Sequence, residues 1–89
     1  MATLFVHHKV EDYAKWRPVF DEVGTVRTAH GATGWRVLRD SANPNEIIIL
    51  TEFPDLESAR GYAQSPDLRE AMQRAGVSGR PEILFLNEA

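Results

Sequence analysis

His7 and His8 are the residues of this chain best suited to moving protons, because an imidazole titrates near neutral pH. They stand side by side in Thr3-Leu-Phe-Val-His-His-Lys-Val10, a run rich in apolar and β-favouring residues that reads as a strand. Successive strand residues point to opposite faces, so one of the two can line a given cavity and the other cannot. For the same reason the three histidines have no zinc-site spacing. No metal site is expected. The plain reading is that both are structural residues, one near a rim of the fold. His30 falls at the end of a helical pattern, where a cation complements the dipole, and its reading is structural.

Aromatic and charged residues supply the other candidates. Tyr13, Trp16 and Phe20 share one helix face, and Trp35 is a second large amphipathic ring in a small chain. Core packing explains them by default. An aromatic-walled pocket for a planar ligand is the functional alternative, since small-molecule clefts are mostly apolar with a few polar groups. Tyr62 and Met72 could line its mouth. Arg36 and Glu52 lie on strands rich in apolar surface. If either faces inward its charge needs a partner or a ligand, and Arg36 could then hold a carboxylate or enolate. The plainer reading pairs each within a dimer. A Cys nucleophile is excluded because the chain has no Cys. No Ser-His-Asp set or phosphate loop is present, and Gly24, Gly31 and Gly34 lack dinucleotide spacing.

The elements that must position these residues follow from pattern. After the first strand, Glu11-Asp12 start a helix. Tyr13, Trp16, Phe20, Val23 and Arg27 recur at spacings of three and four, which is one helical face. Pro18 inside that pattern predicts a kink or restart near Lys15 to Pro18, and Gly31 ends the helix. Ala32 to Asp40 reads as strand 2, Ser41 to Asn45 as a hairpin loop, and Glu46 to Phe53 as strand 3. Asp55 caps a short helix to about Ala63. Ser65-Pro66-Asp67 starts another that runs to Ala75 and stops at Gly76. Val77 to Arg80 reads as loop, and Pro81 opens strand 4 over Glu82 to Asn87. The order is βαββαβ, which closes most compactly as a ferredoxin-like α+β domain with a four-stranded antiparallel sheet.

One domain is all that 89 residues allow. A chain of this length buries only about 60–65% of its unfolded surface, and small scaffolds usually need a staple. Without disulfides, a partner chain is the remaining support. Strand 3 alternates Ile47 and Ile49 with Ile48 and Leu50, and strand 4 alternates Ile83 and Phe85 with Leu84 and Leu86. Both sheet faces are therefore apolar. Helices cover one, and a homodimer joined through its sheet faces would cover the other. Net charge is −3 and the ten basic residues are scattered, so no nucleic-acid partner is indicated. No secretory signal or membrane span is seen, so a cytoplasmic protein without membrane association is expected.

Val10-Glu-Asp-Tyr-Ala-Lys-Trp16, Asn43-Pro-Asn-Glu46, Glu52-Phe53 and Ser65-Pro-Asp-Leu-Arg-Glu-Ala71 resemble the antibiotic biosynthesis monooxygenase-like group of dimeric α+β barrels. The resemblance spans nearly the whole chain. It implies a dimeric barrel, and one of several activities: cofactor-free oxygenation of polycyclic phenols, haem degradation, polyketide cyclisation, lactone isomerisation or ligand sensing. Haem-degrading members carry Trp at the end of strand 3, His in the last helix and Asn in strand 1. Phe53, Met72 and the neighbourhood of Val6 stand at those places here, which argues against haem. Phe53 also departs from the strand-3 Trp of the phenol oxygenases, because Phe cannot donate the indole hydrogen bond. The resemblance favours His8 over His7 for the helix-facing cleft, on the same side as Val6, without deciding between them.

The expectation is a small-ligand-binding protein with no cofactor, and, if it turns over its ligand, a cofactor-independent monooxygenase or polyketide-cyclase-like enzyme acting on an aromatic small molecule. His8 is the best candidate for catalytic base. Tyr13, Trp16, Trp35, Arg36, Phe53 and Met72 are the candidate ligand-binding residues. The competing expectation is a non-catalytic ligand-binding or structural, stress-related dimer. A buried His or Arg without an internal partner separates the two, because a purely structural protein satisfies every such group.

Overall fold

The computed structural model describes residues 1–89. Its elements are β1 (Ala2–Val10), α1 (Tyr13–Glu22), α2 (Gly24–Ala29), β2 (Gly34–Arg39), β3 (Glu46–Phe53), α3 (Leu56–Ala63), α4 (Pro66–Arg74) and β4 (Val77–Asn87). The strands form one sheet in the order β2-β3-β1-β4, with every pairing antiparallel. This is the ferredoxin-like α+β fold, with each crossover helix broken in two. No helix is long and apolar enough to cross a membrane.

Alternation along the strands divides the sheet into two unlike faces. Leu4, Val6, His8 and Val10 of β1 and Ile47, Ile49, Thr51 and Phe53 of β3 are buried under the helices. Residues paired across antiparallel strands share a face. Trp35 and Val37, opposite Thr51 and Ile49, therefore lie on the helix side. Phe5, Ile48, Leu50, Arg36, Leu38, Leu84 and Leu86 lie on the other side, which no element of the chain covers. Leu84 and Leu86 are 46% and 40% exposed there.

The helix layer is held down by one stripe. Trp16, Phe20, Val23 and Arg27 follow one another at spacings of four, three and four, and all four are buried. The stripe stays in register across α1 and α2 because the interruption is one residue, Val23, whose ψ flattens to −4°. Asp12 caps α1 by accepting from the Ala14 N–H at 3.0 Å. Asp55 and Ser65 cap α3 and α4 through the Ser58 and Asp67 N–H groups. Pro66 at the start of α4 gives up a donor that would be unpaired anyway.

Two sequence expectations are corrected. The break does not fall at Lys15 to Pro18, since α1 runs through Pro18 and yields at Val23. Pro18 is exposed, and Trp16 and Phe20 on either side of it are buried. Their burial outweighs the loss of one backbone hydrogen bond. Val77 to Arg80 is not loop but the start of β4. Its register against β1 runs Lys9 with Ser78, then His7 with Glu82. Gly79, Arg80 and Pro81 thus bulge opposite the single residue His8. Gly79 takes φ +70°, and Pro81 sits where the ladder lapses and its missing N–H costs nothing.

Because Pro18 interrupts a hydrogen-bonded helix at an exposed position, Pro18→Ala should stabilise the protein by about 1–3 kcal/mol. Urea denaturation measures this, and a loss of stability would show that the proline shapes the packing of Trp16 and Phe20.

Candidate functional site

A cavity lies between the helix layer and the centre of the sheet. Leu4, Val6, His8, Ile49 and Thr51 form its floor. The stripe residues Trp16, Phe20, Val23 and Arg27, with Tyr62 and Met72, form much of its wall. Of the 15 lining residues 12 are hydrophobic, so the two basic groups among them stand out. Its volume is about 40 Å³. A cavity of roughly 150 Å³ is what accommodates one benzene ring. Any ring-sized ligand therefore requires side chains to move, and Leu68 and Met72, half-buried on α4, are the flexible part of the wall.

His8 is 4% exposed, and neither Nδ1 nor Nε2 has a hydrogen-bond partner. Its ring meets the Trp16 ring edge-on, with centroids 5.7 Å apart. Burial pushes its pKa down to about 4, and the neighbouring His7 pushes the same way, while Glu46 opposes them weakly. The imidazole is therefore neutral at pH 7 and has a free lone pair in an apolar cavity. His7 lies on the uncovered face of the sheet. Its Nε2 is 2.8 Å from Glu46 Oε2, and its Nδ1 is 3.8 Å from Glu82.

Arg27 is 1% exposed. Its Nη2 donates to the Phe20 carbonyl at 2.9 Å, while Nε and Nη1 have no acceptor. The guanidinium is stacked 3.8 Å from the Phe20 ring centre and 4.3 Å from that of Trp35. Gly24 makes room for this sandwich, since a Cβ there would meet Arg27 Nη2 at 3.3 Å and the Trp35 ring at 3.6 Å. None of the chain's ion pairs includes Arg27. Cation–π contacts partly replace the lost hydration, but they leave a buried positive charge without an anion. The Tyr62 phenol faces it. Burial raises that phenol's pKa while Arg27 pulls it down, and the net shift is upward, so the group stays protonated.

The structure brings His8, Trp16 and Met72 of the candidate set to one cavity. Trp16 stacks on Phe20 at 4.9 Å. The remaining candidates lie around or away from it. Tyr13 is held outward, its hydroxyl accepting from Arg17 Nη1 at 3.2 Å and its ring under Arg39 at 4.0 Å. Trp35 covers Arg27 from the outside and does not reach the cavity. Phe53 is fully buried against Tyr62, at 5.7 Å, outside the lining. Arg36 pairs with Leu50 on the uncovered face and is exposed. Glu52 is on that face too, accepting from the Thr3 hydroxyl at 2.9–3.0 Å. His30 Nδ1 bonds the Val26 carbonyl at 3.0 Å. No group of His, Asp and Glu has the arrangement of a metal site. Sequence reasoning missed Arg27 as a functional residue. The available signal was a charged side chain on an otherwise apolar stripe.

The sequence profile of the family described as antibiotic biosynthesis monooxygenase matches residues 2–74. No curated protein matches the chain in sequence. Many solved structures share the fold. One is a cofactor-independent oxygenase from Streptomyces nogalater, with TM-score 0.82, 15% identity, and coverage of 99% of this chain and 92% of that one. Another is a conserved protein from Methanosarcina mazei, with TM-score 0.80, 15% identity and the same coverages. A third, an antibiotic biosynthesis monooxygenase, has TM-score 0.78 at 13% identity, covering 100% of this chain and 99% of its own.

The depressed His8 pKa has a consequence for stability. In the unfolded chain His8 binds a proton near pH 6.5, and in the folded chain only near pH 4. Between those values the unfolded state holds more protons, so stability falls as pH falls. The loss from pH 7 to pH 4 attributable to His8 is about 3 kcal/mol. Urea denaturation of the native protein and His8→Leu at both pH values should show the native protein losing more by that amount. Equal losses would mean that His8 is hydrated or paired.

Proposed function

Because the chain belongs to the antibiotic biosynthesis monooxygenase family, we propose that it is a cofactor-independent monooxygenase acting on a small aromatic compound in the cavity beneath α1, α2 and α4. The observation that carries this reading is that His8 and Arg27 line one apolar cavity with four nitrogens lacking partners. A structural protein satisfies its buried polar groups, whereas a ligand site keeps them free for the ligand. In this reading neutral His8 is the general base. It takes a proton from a carbon made acidic by flanking carbonyl or phenol groups. Arg27 holds an oxygen of the same molecule. The resulting carbanion reduces O2 and forms a C–O bond. The O–O bond breaks as the second proton leaves that carbon. A CH2 group becomes C=O, and the other oxygen atom leaves as water, so the four electrons taken from carbon match the four accepted by O2.

The uncovered sheet face supports a homodimer in the same reading. Phe5, Ile48, Leu50, Leu38, Leu84 and Leu86 make an apolar surface of the kind a second sheet would bury. Arg36 and Glu52 then lie between subunits, and His7, with Glu46 and Glu82, joins them.

The second reading, ligand binding without turnover, is favoured by the small volume of the cavity. An oxygen electrode separates the two. Anthrone, with and without a carboxyl substituent, should consume one O2 per quinone formed, and His8→Ala should slow turnover by about 10²–10⁴-fold. Saturable binding without O2 uptake would sink the oxygenase and leave the binding protein.

For the dimer, sedimentation should give about twice the 10.0 kDa chain mass. Leu50→Lys should dissociate or unfold it, since Leu50 and not Ile49 faces outward. A folded monomer at micromolar concentration would end that part of the reading.

A further inference from the structure

We infer that the ligand of this cavity is a singly charged carboxylic acid with an apolar ring body, its carboxylate held by Arg27. The inference rests on the ligand-site reading above and names the class of molecule the site takes.

The charge balance of the cavity leads there. Arginine is cationic at every accessible pH, so the free protein already carries one full positive charge at this place. Cation–π contacts with Phe20 and Trp35 stabilise it, but the two nitrogens Nε and Nη1 still lack acceptors. A neutral phenol or ketone could accept one hydrogen bond and would leave the charge unmatched. A carboxylate brings one negative charge and two oxygens with about four acceptor positions. Hydrogen bonds between charged partners are roughly twice as strong as neutral ones. The Tyr62 phenol, on the same wall, turns its oxygen toward Arg27 and does not supply the missing anion.

The rest of the cavity sets the limit on that charge. His8 is the other basic lining residue, and at pH 7 it is neutral. The lining contains no acidic side chain. One cation therefore matches one anion, and a phosphate dianion would bury an excess negative charge. Beyond Arg27 the walls are largely apolar, with Trp16 and Phe20 stacked on each other and Met72 also in the lining. That surface suits an uncharged ring. His8 lies at the floor of the same space, where it meets the body of the ligand and leaves the acid group to Arg27.

The test compares acids with neutral analogues of the same shape. Binding of benzoate and 2-naphthoate, and of benzyl alcohol and 2-naphthalenemethanol, is measured at pH 7 by tryptophan fluorescence and by NMR shift changes. Each acid should bind about 30-fold more tightly than its alcohol. Arg27→Met should reduce that ratio to below about 3-fold while keeping the weak binding of the alcohols. The ratio in the native protein needs no variant, so the inference remains testable if Arg27→Met does not fold. Equal affinity for acid and alcohol overturns it, as does a preference that survives Arg27→Met, and so does failure of all four probes to bind. The assay contains no turnover step. Acid preference without O2 uptake would keep this inference and remove the oxygenase, and O2 uptake without acid preference would do the reverse.

Discussion

Desolvation governs the centre of this molecule. A guanidinium and an imidazole lie inside a helix-on-sheet layer whose other wall atoms are almost all apolar. Removing an unpaired cation from water costs several kcal/mol even after relaxation. The fold offsets part of that with local devices: one carbonyl for Nη2, two aromatic faces around the plane, and a glycine that leaves space for both. The imidazole meets the same problem differently, by giving up its proton. Two basic residues in one cavity thus reach different charge states, one neutral and one cationic, because one can deprotonate and the other cannot. A site with one fixed cation and one free base is suited to holding an anion while a proton is removed nearby.

The sheet imposes the second constraint. Four strands with helices on one side leave the other side to water or to a partner, and here that side is largely leucine, isoleucine and phenylalanine. The charged residues on it are not randomly placed. Glu46 and Glu82 flank His7 at one end, Glu52 is tied to Thr3 at the other, and Arg36 stands beside Leu50 on the edge strand β2, next to the apolar patch. The helix side has no comparable polar margin. Its hydrogen-bonding side chains cap the helices, line the cavity or, like Arg17, His30 and Arg74, bond along and between the helices.

Much of this was legible in the residues. Period-two alternation placed Trp35 and Val37 opposite Arg36 and Leu38, and the register agrees. Capping chemistry at Asp55 and Ser65 located the starts of α3 and α4. The helical stripe was visible too, with Arg27 on it, but the pattern says only which residues share a face. It does not say that a cation on that face will be sealed in by Trp35, which comes from the strand that follows. Arg36 drew attention as a charge on a strand rich in apolar surface, yet alternation carries it to the face away from the cavity. Pro18 and Val77–Pro81 show the same limit from another side. Local rules name the residue that resists a helix or a strand, and tertiary burial and a bulge decide whether the element forms regardless.

The bulge in β4 connects the two halves of the argument. Strand pairing normally spaces residues evenly, and an edge strand running past His8 in register would continue the ladder on that side. Instead three residues of β4 pass one residue of β1 at His8. Bulges increase local twist and re-aim neighbouring side chains, and they recur beside functional sites. Here the irregularity sits at the strand position whose side chain enters the cavity without a partner. Lys9 and Val10 resume regular pairing with Ser78 and Val77 beyond it, and Val10 is buried. The departure is therefore confined to the level of the imidazole. β4 is an edge strand, where a bulge, a positive-φ glycine and a proline also keep the edge from pairing further. The local sequence Ser78-Gly79-Arg80-Pro81 therefore sets the strand geometry at the level of the imidazole, although none of its side chains lines the cavity.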